Sequence, residues 1–298
     1  MMRVLEFDNI HRAYRRDADV LAGVGFSVES GEVVGLLGKN GAGKTTLLRV
    51  AMGMIEPQQG SVKVFGLDPR KAPVEIKRRV GYVSEDQILP AFMSVEKVIQ
   101  LHSGLFPEWD DSMARDLLER YRLSPRAKIK TLSKGQARQV ALVCAVSHKP
   151  ELLILDEPAG GLDPAARREF LETSIELLNV AGTTILFSSH YMTDVERMAG
   201  RVVMIHEGQL LIDSSLDDLR EGYCLALIPR NSDVSIDRLL AIDGCVGGRV
   251  RSEAVRAIFR LDPTACETLL RHEIGVSGAR CATVGLEEIF IELAGGES

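Results

Sequence analysis

Two kinds of hydrophobic pattern alternate along this chain. Short runs that are apolar on most residues, at 33–37, 79–83, 152–155 and 183–187, read as strands buried on both faces, as in a parallel sheet covered by helices. Segments at helical spacing lie between them, such as Leu47-Leu48-Arg49-Val50-Ala51, so the chain from Val33 onward predicts an α/β core. Residues 1 to about 30 differ. There the apolar positions alternate as in paired antiparallel strands, with 21–28 closing on the Ser30-Gly31 turn. From Asp86 to about Lys130 the pattern becomes mainly helical. Val95, Val98 and Leu101, then Leu117, Leu118 and Tyr121, recur at helical spacing, with breaks at Pro90, Pro107 and Pro125. A last hairpin at 201–213 turns at Glu207-Gly208. Strands at 223–228, 255–261 and 280–284 follow, with helices at 235–241, 264–272 and 286–293. The expected organisation is an α/β domain at 1–215, with a helical part at about 86–148, and a small α+β appendage at 216–298 that holds no catalytic constellation.

Composition adds bounds rather than identity. At 298 residues, 45% hydrophobic and 26% charged, the chain has apolar residues for a large core. A net charge of −6 with scattered Lys and Arg excludes the basic stripe that a nucleic-acid binder needs. The five cysteines, Cys144, Cys224, Cys245, Cys266 and Cys281, form no close pair in sequence and no spacing that suits zinc. They are expected to be reduced thiols in a cytosolic protein. Met1-Met2-Arg3 leads straight into strand-like Val4-Leu5-Glu6-Phe7, and no apolar run approaches the length of a membrane span. Neither a secretory leader nor a transmembrane segment is expected.

The candidate chemistry begins where the 33–37 strand ends. Gly38-Lys39-Asn40-Gly41-Ala42-Gly43-Lys44-Thr45-Thr46 fits G-x-x-x-x-G-K-[ST], between a strand and a helix. Glycines at 38, 41 and 43 are expected to take positive φ and turn successive N–H groups inward, forming an anion nest at the positive end of a helix dipole. A triphosphate would sit there, with Lys44 reaching its β and γ phosphates and the Thr45 hydroxyl on the bridging Mg²⁺. The 152–155 strand ends in Asp156-Glu157. Acids at the carboxyl edge of a parallel sheet lie where ligands bind. Asp156 is a candidate metal ligand, and Glu157 a candidate general base that orients or deprotonates water.

Leu132-Ser133-Lys134-Gly135-Gln136, placed between these motifs and followed by an amphipathic helix, resembles the signature of ATP-binding cassette (ABC) proteins. By itself, a serine and a glycine before a helix are only a cap. The resemblance covers residues 1 to about 215 and implies a P-loop cassette with antiparallel β and helical subdomains. In that family Ser133, Gly135 and Gln136 would meet the γ-phosphate held by another subunit, so the resemblance implies a head-to-tail dimer around two ATP. It further implies adenine stacking on Tyr14, subunit sensing through Asp163 in Gly161-Leu162-Asp163, and a γ-phosphate switch at His190. Three departures stand out. Lys134 replaces a usual glycine, and Arg138-Gln139 reverses the expected order. Glu85 occupies the position of a glutamine that contacts Mg²⁺ and water, with Gln87 two residues on as the alternative.

Within the family, Gly81-Tyr82-Val83-Ser84-Glu85-Asp86, Phe106-Pro107-Glu108-Trp109-Asp110 and Phe187-Ser188-Ser189-His190 resemble bacterial single-cassette exporter ATPases. Such a subunit is cytoplasmic and peripheral on the inner face of the membrane, through a separately encoded permease. Phe92, Met93, Phe106 and Trp109 are candidates for the groove against that permease, or for a helix-bundle core. The rival readings are a soluble cassette protein working without transport and a nucleotide-gated regulator that has lost hydrolysis.

Overall fold

The computed structural model describes residues 2–15, 18–86, 89–162, 167–168, 170–174, 182–229, 234–251, 254–276 and 278–293. The chain divides into two compact units, Met1–Asp213 and Ser214–Ser298.

The first unit opens with β1 (Arg3–Arg15) and β2 (Ala18–Glu29), joined on the other side of β1 by β4 (Gln59–Val64) in a three-stranded antiparallel sheet. Leu5, Phe7, Ile10, Leu21, Val24, Phe26 and Val28 are buried, which is the alternation that a sheet with one covered face imposes. Phe7 lies opposite Phe26, ring centroids 4.9 Å apart.

Beside it lies a six-stranded sheet in the order β5-β6-β7-β3-β8-β9. β3 (Val33–Leu37), β5 (Val80–Val83), β6 (Leu152–Leu155), β7 (Thr184–Ser189) and β8 (Arg201–His206) run parallel. β9 (Gln209–Ser215) returns through Glu207-Gly208, both at positive φ, as a two-residue hairpin requires. Every residue of β6 and β7 is buried. Parallel direction brings the ends of β3, β5, β6 and β7 to one edge, and the loops that leave it carry Gly38, Ser84, Asp156 and His190.

α1 (Lys44–Ala51) follows β3 and buries Leu47, Leu48 and Val50. α2 is Pro73–Arg79. The helical region comprises α3 (Val95–Ser103), α4 (Asp111–Arg120) and α5 (Lys134–Val146). Asp110 caps α4 by accepting from the N–H groups of Ser112 and Met113. Phe106 stacks on buried His148 at 4.0 Å, and Trp109 donates to Asp111 Oδ1 at 3.0 Å, while Phe92 stands 73% exposed. α6 (Met192–Met198) follows β7.

The second unit is a four-stranded antiparallel sheet, β11-β12-β10-β13, built from β10 (Cys224–Pro229), β11 (Cys245–Val250), β12 (Ala254–Phe259) and β13 (Arg280–Thr283). Its helices are α7 (Leu216–Glu221), α8 (Ile236–Leu240), α9 (Pro263–Leu269), which continues as a π turn over Leu270–Ile274, and α10 (Leu286–Leu293). β11 is absent from the sequence pattern because Gly247 and Gly248 interrupt it. Its pairing to β12 makes it a strand. Cysteines far apart in sequence meet here: Cys224, Cys266 and Cys281 bring their sulfurs within 4.8 Å of one another. Sheet pairing and one helix close sequence distances that linear spacing cannot show.

Candidate functional site

The loop from Gly38 to Gly43 wraps the start of α1. Gly41 and Gly43 have φ of 85° and 106°, so they supply the left-handed conformations that a side chain resists. Gly38 is not among the positive-φ glycines, which corrects that expectation. Its need is space, since a β-carbon there would lie 2.5 Å from the Ile205 carbonyl oxygen. Gly43 meets both demands, with the Val20 carbonyl 2.5 Å from where its β-carbon would be. The first N–H groups of α1 face the nest with no side-chain cap, leaving donors for an anion.

Lys44 is 5% exposed. Its ammonium donates to the carbonyls of Gly38 at 2.7 Å and Lys39 at 3.2 Å and stands 3.1 Å from Glu157 Oε1. That oxygen is within ion-pair range but has no aligned hydrogen bond. Glu157 Oε2 instead meets His190 Nδ1 at 2.8 Å. Lys44, Glu157 and His190 thus form one chain of polar contacts across the ends of β3, β6 and β7. Glu157 itself has φ of 45°, a conformation unfavourable for a residue with a side chain and one that gathers at functional sites.

Asp156 lies beside it, 1% exposed. Its Oδ1 accepts from the Thr45 hydroxyl at 3.1 Å and the Ser188 hydroxyl at 2.7 Å, and Ser188 Oγ accepts in turn from Glu157 N–H at 2.8 Å. Asp156 Oδ2 is buried without a hydrogen-bond partner. Burial raises this carboxyl above its ordinary value, against the pull of the Ser188 and Thr45 hydroxyls. A half-satisfied carboxylate next to a threonine hydroxyl is a hard oxygen donor set of the kind Mg²⁺ takes.

A cleft of about 370 Å³ opens over these residues, lined by Asn40, Gly41, Gly43, Lys44, Thr45, Thr46, Glu85 and Glu157. Ala42 is buried beneath the loop, 3.1 Å from the β-carbon position of Gly38. Tyr14 is 55% exposed at the rim, its hydroxyl 3.4 Å from Thr46 Oγ1 and the Arg12 guanidinium over its ring at 5.3 Å.

Ser133, Gly135 and Gln136 do not line this cleft in their own chain. They start α5 in a capping box: Ser133 Oγ accepts from Gln136 N–H at 3.2 Å, and Gln136 Oε1 accepts from Ser133 N–H at 3.0 Å. Asp163 and Gln87 lie outside the described residues.

Two features escape sequence reasoning. Ser188 holds both acids, and its signal was a hydroxyl ending an otherwise apolar buried strand. Arg138 donates to the carbonyls of Glu85, Pro158 and Gly160. Reversed order at 138–139 therefore leaves an arginine that ties α5 to both the β5 and β6 loops. Behind His190, Arg167 makes a paired contact with buried Asp194 at 2.9 and 2.5 Å and packs on the Tyr191 ring at 3.4 Å.

Comparison with known proteins agrees with this geometry. Residues 21–160 match the ABC transporter family model. The chain is 34% identical to a linearmycin resistance ATP-binding protein of Bacillus subtilis, covering 98% of both chains. It is 33% identical to Nod factor export ATP-binding protein I of Paraburkholderia xenovorans, over 98% of this chain and 97% of that one. A solved structure described as the ATP binding subunit of an ABC transporter superposes with a TM-score of 0.65 at 31% identity, covering 73% of this chain and 92% of that one. A nest for a triphosphate, buried acids at its mouth and full-length relatives agree: this chain belongs to the ABC transporter family as an ATP-binding, ATP-hydrolysing subunit.

Proposed function

We propose that two copies of this chain close head to tail around two Mg-ATP and drive a separately encoded membrane permease in the direction of export. The observation that carries the reading is the Lys44–Glu157–His190 chain. In this arrangement the lysine that a γ-phosphate needs is held by the acid that water needs. Nucleotide entry gives Lys44 a stronger anionic partner, and Glu157 is released toward the attacking water with His190 still orienting it. Thr45 and Asp156 would hold Mg²⁺, assisted by Glu85 or Gln87. When bound, the metal neutralises charge on the phosphate oxygens.

Tyr14 stacks on adenine, and Gly38 to Thr46 cradle the phosphates. Ser133, Gly135 and Gln136 act in trans on the partner's γ-phosphate, with Asp163 sensing the other subunit. Their absence from the cleft of a single chain supports a site completed by a second copy. Export is favoured by the relatives named for linearmycin resistance and for Nod factor export. No helix among the described residues is long and apolar enough to cross a membrane. In this reading the chain works on the cytoplasmic face through its permease.

Glu157→Gln tests the assignment. ATP affinity should be retained, while turnover falls by about a hundredfold or more, the scale of a lost general base. Light scattering with Mg-ATP should show the variant trapped as a dimer. Wild-type phosphate release from this variant removes Glu157 from its role.

A further inference from the structure

The second unit carries a cluster unconnected with nucleotide chemistry. Cys224 is the first residue of β10 and Cys281 lies on β13, an edge strand. In the antiparallel register Cys281 stands opposite Ala226, so it shares a sheet face with Cys224, two residues from Ala226. Cys266, on α9, completes the group, and all three sulfurs lie within 4.8 Å of one another. Cys224 and Cys266 are fully buried among Ala226, Phe259 and Leu270, while Cys281 is half-buried and open to the edge.

Cysteine is a common small core residue, and that role would explain each one singly. It does not explain why three of the chain's five cysteines, drawn from three different elements, point their sulfurs at one spot. A metal–sulfur distance of about 2.3 Å implies sulfurs about 3.8 Å apart around a tetrahedral ion, and the separations here are within reach of that scale. No His, Asp or Glu ligand atom joins the group among the described residues. Structural zinc wants four protein ligands. The set here is three.

We propose that Cys224, Cys266 and Cys281 form a three-sulfur site for a soft, thiophilic ion that favours three-coordinate ligation, trivalent arsenic being the chemical class. Arsenous acid would exchange its three hydroxides for three sulfurs. Three As–O and three S–H bonds break, three As–S bonds form, and three waters leave with no change of oxidation state. The product is neutral, and an apolar core tolerates neutral groups far better than charged ones. Three thiolates on Zn²⁺ would leave one negative charge there, and on Cu⁺ two. Occupancy would tie β10, α9 and β13 together, so binding also stabilises this unit.

The test uses the full-length chain, reduced and free of oxygen, titrated in parallel with arsenite, Zn²⁺ and a soluble Cu⁺ complex. The expected result is one arsenic per chain by elemental analysis, three thiols lost to a thiol reagent, and a raised melting temperature. Cys266→Ser and, at the more tolerant edge position, Cys281→Ser should each lose stoichiometric arsenite binding, while Cys144→Ser keeps it. No binding, binding unchanged in both site variants, zinc held more tightly than arsenite, or a disulfide among the three in freshly purified protein would each overturn the site. ATP turnover is read separately on the same samples, so a failure here leaves the Glu157 assignment standing.

Discussion

Asp156 is kept in the core at a thermodynamic disadvantage. Burial lifts its carboxyl above the ordinary value, so the folded state holds the proton more tightly than the unfolded chain does. The carboxylate therefore lowers stability at neutral pH, and the penalty fades as pH falls through the raised value toward the unfolded one. Asp156→Asn keeps an oxygen for the Thr45 and Ser188 hydroxyls and removes the charge. The nucleotide-free variant should melt at a higher temperature than wild type at pH 7, with the gain shrinking on acidification, and it should lose Mg-dependent ATP turnover. A lower melting temperature at pH 7 would show that the carboxylate contributes to the fold, beside its proposed role at the metal. At this scale the motif residues Lys44, Thr45 and Asp156 were legible because their chemistry requires fixed spacing. The Lys44–Glu157 pair and the Ser188 bridge were not, because nothing in a linear string says which strand ends become neighbours.

The first turn of α5 joins an observed duty to a proposed one. Ser133 caps the helix with Gln136, and the same hydroxyl is proposed to meet a phosphate on the partner. A substitution that separates these duties is Ser133→Asp, since aspartate caps helices about as well as serine. The melting temperature should stay near wild type, while the added negative charge repels a γ-phosphate and ATP-driven dimer formation is lost in light scattering. Retained dimerisation would leave Ser133 with capping alone. The helices and buried strands were readable from period and turn residues, because burial on one face or on two leaves a direct trace. β11 was not, since Gly247 and Gly248 hide a strand that exists through its pairing to β12. The Arg138 clamp was also hidden, because its acceptors are backbone carbonyls that no residue type announces.

The whole assembly supplies the most direct test of how the motifs divide between subunits. In a head-to-tail dimer with two-fold symmetry, each nucleotide site takes its phosphate loop from one copy and its Ser133 turn from the other. Lys44→Ala disables the first part and Ser133→Asp the second, so neither variant alone should turn over ATP. In a mixed dimer the two lesions fall in the same site. The other site combines the intact Lys44 of the Ser133→Asp chain with the intact Ser133 of the Lys44→Ala chain. Neither variant closes on ATP with its own kind, so the mixed dimer is the species that forms, and with one whole site of two it should return at most about half of wild-type sites, if each site works alone. A site built within one chain predicts no recovery at any ratio. Tagging the two variants differently and isolating the mixed species distinguishes failed association from failed complementation. Phosphate release from that isolated species decides whether the signature turn belongs to its own cleft or to its partner's.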